Sequence, residues 1–204
     1  MTASRQRDPE ATRRAILDAA EQIFVERGFT GTHLSDIAQQ ARVTKSLIHH
    51  HFGSKKELWE EIKRQQFSRY AAEQERLLQA QTMDADVLRQ AIIQYFKYLQ
   101  QNPRFSRLLT WMKVEGDTSC GDMADELARQ GLNGIHQAQE AGVLRNDINP
   151  LFILMIFLGL AEWWFEAKHQ FLPPTGLQGP AGEQVDEAFL SSLLEIFFHG
   201  VLPS

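Results

Sequence analysis

From Pro9 to about Val201 the apolar residues of this chain recur at the spacing of an α-helix, and no stretch shows the strict alternation of a half-buried strand. That regularity confines the chain to all-α architectures, because an element can bury only the face its period creates. Punctuation then divides the pattern. Asp8 followed by Pro9 reads as an N-cap and first helical residue. Ile16, Ala19, Ala20, Ile23 and Phe24 form one stripe, and Gly28 supplies a C-terminal stop with Phe29 folding back on the last turn.

Two short helices follow. One starts after Thr32, with Leu34, Ile37, Ala38 and Ala41 inward; the other is capped by Thr44 and runs from Lys45 to His51, with Leu47, Ile48 and Phe52 inward. Only Arg42 and Val43 separate them. Two short helices on so tight a turn, with small alanines where they cross, make a helix-turn-helix. Ser54-Lys55-Lys56-Glu57 reads as a capping box opening a helix to about Ala80. Further helices are expected over Asp84–Gln101, Pro103–Glu115, Met123–Ala141 and from Pro150 to about Phe171. Leu172–Gly182 reads as a loop, and a last helix runs from about Glu183 to Val201. The expectation is an all-α protein of about nine helices: an N-terminal three-helix helix-turn-helix domain with its arm over 1–53, a connecting helix over 54–80, and a further helical domain over 81–204.

Charge is divided along the chain. Residues 1–64 hold 11 Lys/Arg against 9 Asp/Glu, while residues 65–204 hold 10 against 17. A basic head on an acidic body suits a duplex-facing end and a remainder that phosphate repels. The one cysteine, Cys120, excludes an intrachain disulfide and fits a reducing cytoplasm. The start MTASRQRDPEATRR has no apolar segment of the signal-peptide kind. The longest apolar run, Leu151–Ala161, falls short of the roughly 20 residues that span a bilayer, so no membrane association is expected.

The stretch from Thr32 through Leu58, THLSDIAQQARVTKSLIHHHFGSKKEL, together with Ile16-Leu17-Asp18-Ala19-Ala20, Phe24 and Gly28-Phe29, resembles the DNA-binding signature of the TetR/AcrR family of transcriptional regulators. Three positions depart from it: Arg42 where the family usually has Gly in the turn, His49 where it has Tyr, and Ser46 where Gly is frequent. The resemblance implies a DNA-binding domain over 1–53 and a ligand-binding and dimerisation domain over 81–204, in a ligand-responsive, palindrome-binding homodimer that represses transcription until a small hydrophobic or aromatic effector releases it; an activator on the same fold is the alternative.

On that reading the helix from Lys45 enters the major groove. Lys45 and Ser46 lie nearest base edges, and Lys45 suits guanine N7 and O6. Thr44, Thr32 and Ser35 would meet phosphates, as would His49, His50 and Lys55. Arg5 and Arg7 sit on an arm that either reaches an adjacent minor groove or is a solvated tail. Thr32, Thr44 and Ser54 are also ordinary caps in any helical protein. The triple histidine is not a metal site, since successive helical residues point about 100° apart, and no cofactor is expected.

The resemblance places an effector among the helices between Met83 and Phe171. The lining candidates are Phe96, Leu99, Phe105 and Leu108, then Trp111, Met112 and Glu115, then Trp163, Trp164 and Phe165; ordinary core packing explains the same residues. His136, Glu162, Lys168 and His169 would orient a polar group or lie on the surface, and Cys120 is either a thiol sensor or an ordinary free cysteine. The last two long helices carry more apolar surface than one core-facing stripe, which points to a two-fold four-helix dimer interface or to a fully buried monomer core. Other readings are a helical enzyme or small-molecule carrier, and a protein-interaction module. No phosphate loop, H-E-x-x-H, C-x-x-C or G-x-S-x-G supports an enzyme.

Overall fold

A computed structural model describes residues 8–78, 84–117, 119, 122–172 and 181–202, with side chains left out at 75–78 and 181–183. Among these residues nine helices and no strand are found. They are α1 (Pro9–Arg27), α2 (Leu34–Ala41), α3 (Lys45–Phe52), α4 (Lys55–Leu78), α5 (Ala85–Gln101), α6 (Pro103–Val114), α7 (Asp122–Glu140), α8 (Pro150–Phe171) and α9 (Ala181–Val201). Arg5, Arg7 and Cys120 lie outside the described residues, as does most of the loop expected over Leu172–Gly182.

Local chemistry sets most of the boundaries. The side chains of Asp8, Thr44, Asp84 and Asn149 accept from backbone amides of the first turns of α1, α3, α5 and α8. Ser54 accepts from Glu57 N at 3.1 Å, one half of the expected capping box. The start of α2 differs from expectation: His33 occupies the N-cap position and makes no side-chain cap bond. Arg42, in the turn after α2, adopts the left-handed conformation (φ 55, ψ 45), the lone non-glycine with positive φ among the described residues. The turn therefore takes the geometry that favours glycine and holds it with an arginine.

The chain forms two compact units. The first comprises Met1–Phe67 with Arg107–Gly121, the second Ser68–Ser106 with Asp122–Ser204. In the first, α1 buries Ile16, Ala19, Ala20, Ile23 and Phe24, and α2 and α3 add Ile37, Ala38, Ile48 and Phe52. Full burial of one large apolar side chain contributes about 1.5–3 kcal/mol, so these residues fix how the three short helices cross. Phe24, Phe29 and Trp59 close the other side of α1, with Phe24 and Trp59 edge to face at 5.0 Å.

In the second unit, α8 packs against α5, α7 and α9. It is long and apolar enough to cross a membrane by length and composition. Its Ile153, Leu154, Ala161, Trp164 and Ala167 are buried in the bundle. Its other side exposes Phe152, Met155, Ile156, Leu160 and Trp163.

Candidate nucleic-acid interface

The sequence expects one face of α3 to be inward and the other to read DNA, and the two faces separate cleanly. Ile48 and Phe52 are buried, while Lys45, Ser46, His49 and His50 are exposed. Thr44 Oγ1 accepts from Leu47 N at 3.3 Å and lies 2.9 Å from Ser46 Oγ, so the cap also orients a hydroxyl at the exposed N-terminal end. Lys45 has no hydrogen-bond or ion-pair partner among the described residues. His49 Nδ1 lies 2.5 Å from the carbonyl of Gly53, which pins the ring at the end of α3. The polar row is thus displayed on a helix fixed from behind, a precondition for reading base edges.

The other expected DNA contacts fare differently. Ser35 is exposed in the first turn of α2. Thr32 is a correction: it is completely buried, and its hydroxyl donates to Gly28 O at 2.6 Å. A hydroxyl spent on closing the α1–α2 turn has no lone pair or proton at the surface. Lys55 Nζ donates to Phe29 O at 2.7 Å and Thr32 O at 2.9 Å and rides over the Phe29 ring. Two of its three protons are therefore held by carbonyls, leaving one proton and the charge for a phosphate. Lys56, exposed beside it, is a cation that the sequence reading passed over.

Behind α1 and α2 stands the segment from Arg107 to Asp117. Glu115 accepts from Phe29 N at 3.0 Å and from Thr30 N at 2.8 Å, and Trp111 Nε1 donates to Val25 O at 3.0 Å. These groups close on Gly28, whose φ is 71 and where an added Cβ would meet the Trp111 ring at 2.7 Å. Trp59 Nε1 and the nearly inaccessible Lys63 Nζ both donate to Asp117 Oδ2, at 2.7 and 2.8 Å. Burial would raise the Asp117 carboxyl, but the hydrogen bonds from Lys63 and Trp59 outweigh it and hold it below its ordinary value. Glu61 is likewise held low: burial opposes ionisation, and hydrogen bonds from Arg64, Arg13 and Gln65 prevail.

The expected effector residues divide between the two units. Trp111 and Glu115 support the α1–α2 turn, which corrects their assignment to a pocket, and Leu108 and Met112 are buried in the same unit. In the second unit Phe96, Leu99 and Phe105 are buried. Trp164 stacks on Phe189 at 4.1 Å and donates to Asp186 at 2.7 Å. Trp163 is half exposed, and its ring neighbour is Phe171. Phe165 meets Phe96 at 4.8 Å. His136 pairs with Glu140, Lys168 with Asp186, and His169 is exposed.

The sequence reading missed the feature that organises this interior. All three tyrosines of the chain meet there, Tyr70 lying 5.4 Å from Tyr95 and 5.1 Å from Tyr98. Tyr95 donates to Glu162 at 2.5 Å. Burial, then the nearby Glu162 charge, pushes Tyr70 and Tyr95 well above the ordinary phenol value, so both remain donors. One turn along α4 from Tyr70, the buried Gln74 has an Nε2 with no hydrogen-bond partner among the described residues. The pattern of α5 puts Tyr95 and Tyr98 on one face, but nothing local announces that Tyr70 of α4 joins them.

Residues 16–62 match the profile of the bacterial regulatory proteins of the tetR family, and residues 88–184 match that of the tetracyclin repressor-like C-terminal domain. The HTH-type transcriptional repressor SCO4008 of Streptomyces coelicolor is 28% identical over 162 residues, covering 77% of this chain and 80% of that one. The fold is similar to that of the transcriptional regulator SCO4942 of Streptomyces coelicolor, with TM-score 0.74, 21% identity and coverage of 93% and 98%. It is also similar to AibR, solved in complex with isovaleryl coenzyme A and operator DNA, with TM-score 0.69, 20% identity and coverage of 91% and 97%. With both parts of that family matched in order along one chain, and an exposed reading helix in the first, this chain belongs to the TetR family of DNA-binding transcriptional regulators.

Proposed function

We propose that the chain is a cytoplasmic repressor, not an enzyme, that binds a palindromic operator as a homodimer and leaves it when a small hydrophobic or aromatic effector enters the second unit. Residues 1–53 act as the reading head, 54–80 as the connecting helix and 81–204 as the effector-binding and dimerising part. The observation that carries the DNA reading is the exposed row on α3. Lys45 and Ser46 take base edges, Thr44, Ser35, His49 and His50 take phosphates, and Lys55 contributes charge to the backbone.

Two features support the effector reading. Gln74 keeps a buried amide donor without an acceptor among the described residues, an arrangement that costs about 1–3 kcal/mol unless something supplies one. The tyrosine cluster beside it is apolar in its faces and polar at its edges, as small-molecule sites are. Phe96, Leu99 and Phe105 extend the apolar lining. The exposed apolar face of α8, with Ile196 on α9, 72% exposed, supports pairing of the last two helices with those of a second copy. AibR, whose structure contains both an acyl-coenzyme A and operator DNA, shows that one chain of this fold accommodates both kinds of ligand.

The test is fluorescence anisotropy of the full chain on the DNA upstream of its own gene, at two salt concentrations, with unrelated DNA as competitor. Sequence-selective, salt-sensitive binding by two chains or a multiple is expected, and Lys45→Ala should weaken it by about 1–3 kcal/mol. Equal affinity of wild type and Lys45→Ala for the selected DNA would remove α3 from the reading role.

A further inference from the structure

One cleft in the second unit has no part in the DNA head or the tyrosine interior. It has a volume of about 530 Å³ and lies between Arg89 of α5, Arg145 of the segment before α8, and the last turns of α9. Its apolar floor is Leu194, Phe198 and Leu202, and its polar edge is Ser191, Glu195 and His199. Two guanidinium groups thus face one carboxylate across a surface that is otherwise apolar and hydroxylic.

The two arginines are prepared differently. Arg89 lays its guanidinium over the Phe198 ring, 4.3 Å from the centroid. That ring contact occupies the face of the group and leaves the in-plane N–H donors unspent; no carboxylate pairs with Arg89 among the described residues. Arg145 is anchored. Its Nε and Nη2 engage both oxygens of Asp147 at 2.6 and 2.5 Å, and its backbone N–H donates to Val201 O at 2.9 Å. Nη1 reaches Gly200 O at 3.4 Å. The Asp147 hydrogen bonds push Arg145 further up and hold Asp147 down, so the pair stays ionised. His199 Nδ1 lies 2.8 Å from Glu195 O, which turns Nε2 away from that bond.

We infer that this cleft binds a small organic anion, a carboxylate or phosphate monoester on an apolar body, with the anionic head on the free edge of Arg89 and the body on Leu194, Phe198 and Leu202. A guanidinium stacked on an aromatic ring presents its fork in a fixed plane, the geometry that carboxylate and phosphate oxygens match bidentately. Arg145, neutralised by Asp147, forms a fixed wall of the cleft, and Ser191 can donate to a further oxygen. Size argues against a bare ion: a cleft of this volume lies in the range of organic-ligand sites, about 300–1,000 Å³. The apolar floor would otherwise stay wetted. Glu195 restricts the ligand to a single compact negative head, since a second negative group placed toward α9 would meet its carboxylate.

The experiment is isothermal titration of the full chain, without DNA, with octanoate, octyl phosphate, octanol and octylammonium. Saturable binding of one octanoate or one octyl phosphate per chain is expected, with the difference between them reporting which head is preferred. Octanol and octylammonium should bind more weakly by about ten-fold or more, the loss expected for a missing charge-assisted hydrogen bond. Arg89→Gln should weaken the anions by a similar factor, and Arg89→Lys should restore part of it. Ser191→Tyr, on an exposed position, should block the cleft while leaving the circular dichroism unchanged, which separates loss of the site from loss of the fold. Octanol binding as tightly as octanoate, or no binding of either anion at millimolar concentration, overturns the inference. So does anion binding that survives both Arg89→Gln and Ser191→Tyr; if Gln74→Leu then abolishes it, the anion sits in the proposed effector interior, and the repressor reading stands without this second site.

Discussion

Replacing Glu115 by alanine removes the acceptor for two adjacent amides, those of Phe29 and Thr30, in the turn between α1 and α2. A hydrogen bond to a charged group is worth about 1.5–3 kcal/mol net. Phe29 N is part-buried and would be left with no acceptor, so it contributes near the middle of that range. Thr30 N is exposed and water replaces most of what it loses. The expected cost is therefore about 2–3 kcal/mol. With a urea slope of about 2–3 kcal/mol/M for a chain this size, the unfolding midpoint of the first unit should fall by about 1 M. Glu115→Gln keeps one acceptor oxygen without the charge and should cost about half as much. Hydrogen exchange localises the effect: the Phe29 and Thr30 amides should lose protection before the rest of α1. Glu140→Ala removes only an exposed pair with His136 and serves as the control, with an expected change within about 0.5 kcal/mol. Unchanged protection at Phe29 and Thr30 in Glu115→Ala, with a midpoint matching wild type, would refute the assignment of Glu115 to this turn.

Gly28→Ala places a Cβ against the Trp111 ring and the Glu115 carboxylate at a backbone conformation (φ 71, ψ −178) that L-residues rarely adopt; a loss of about 2–4 kcal/mol is expected, read by urea denaturation. Gln74→Leu removes the orphaned donor, so the ligand-free protein should gain about 1 kcal/mol or more while its response to the effector falls; a destabilised variant would mean the amide has a partner after all. Acidification tests the depressed carboxylates. Asp117 and Glu61 confer stability that is fully present above their unfolded values of about 4 and is lost as pH falls through their lower folded values. Urea midpoints should thus be flat from pH 7 to about 5 and fall below about 4, with Lys63→Met, Asp117→Asn showing a shallower fall.

How far the sequence could be read depends on how far apart the partners lie. Asp8, Thr44, Asp84 and Asn149 each bond an amide two or three residues on, so their roles follow from residue type and position alone. Arg42 takes the left-handed geometry that favours glycine, which the tight spacing between α2 and α3 suggests but the residue type does not. Thr32 and Glu115 show the limit. A threonine before a helix reads as a cap or a phosphate contact, yet its hydroxyl turns back to Gly28. Glu115 reads as a polar group among pocket aromatics, but its partners lie 86 and 85 residues away, and nothing local distinguishes it from a solvated glutamate. The tyrosine cluster draws on α4 and two positions of α5, each of which taken singly looks like ordinary core.

The first unit is assembled from two stretches, Met1–Phe67 and Arg107–Gly121, and this bears on how such regulators can be recombined. A graft that moves only the first 67 residues onto another body would carry the reading helix but leave behind the carboxylate that caps Phe29 and Thr30, the indole that covers Gly28 and the aspartate that Trp59 and Lys63 share. The exchangeable module is therefore discontinuous: a working chimera must either bring the later stretch along or land on a body whose own equivalent segment presents the same three groups.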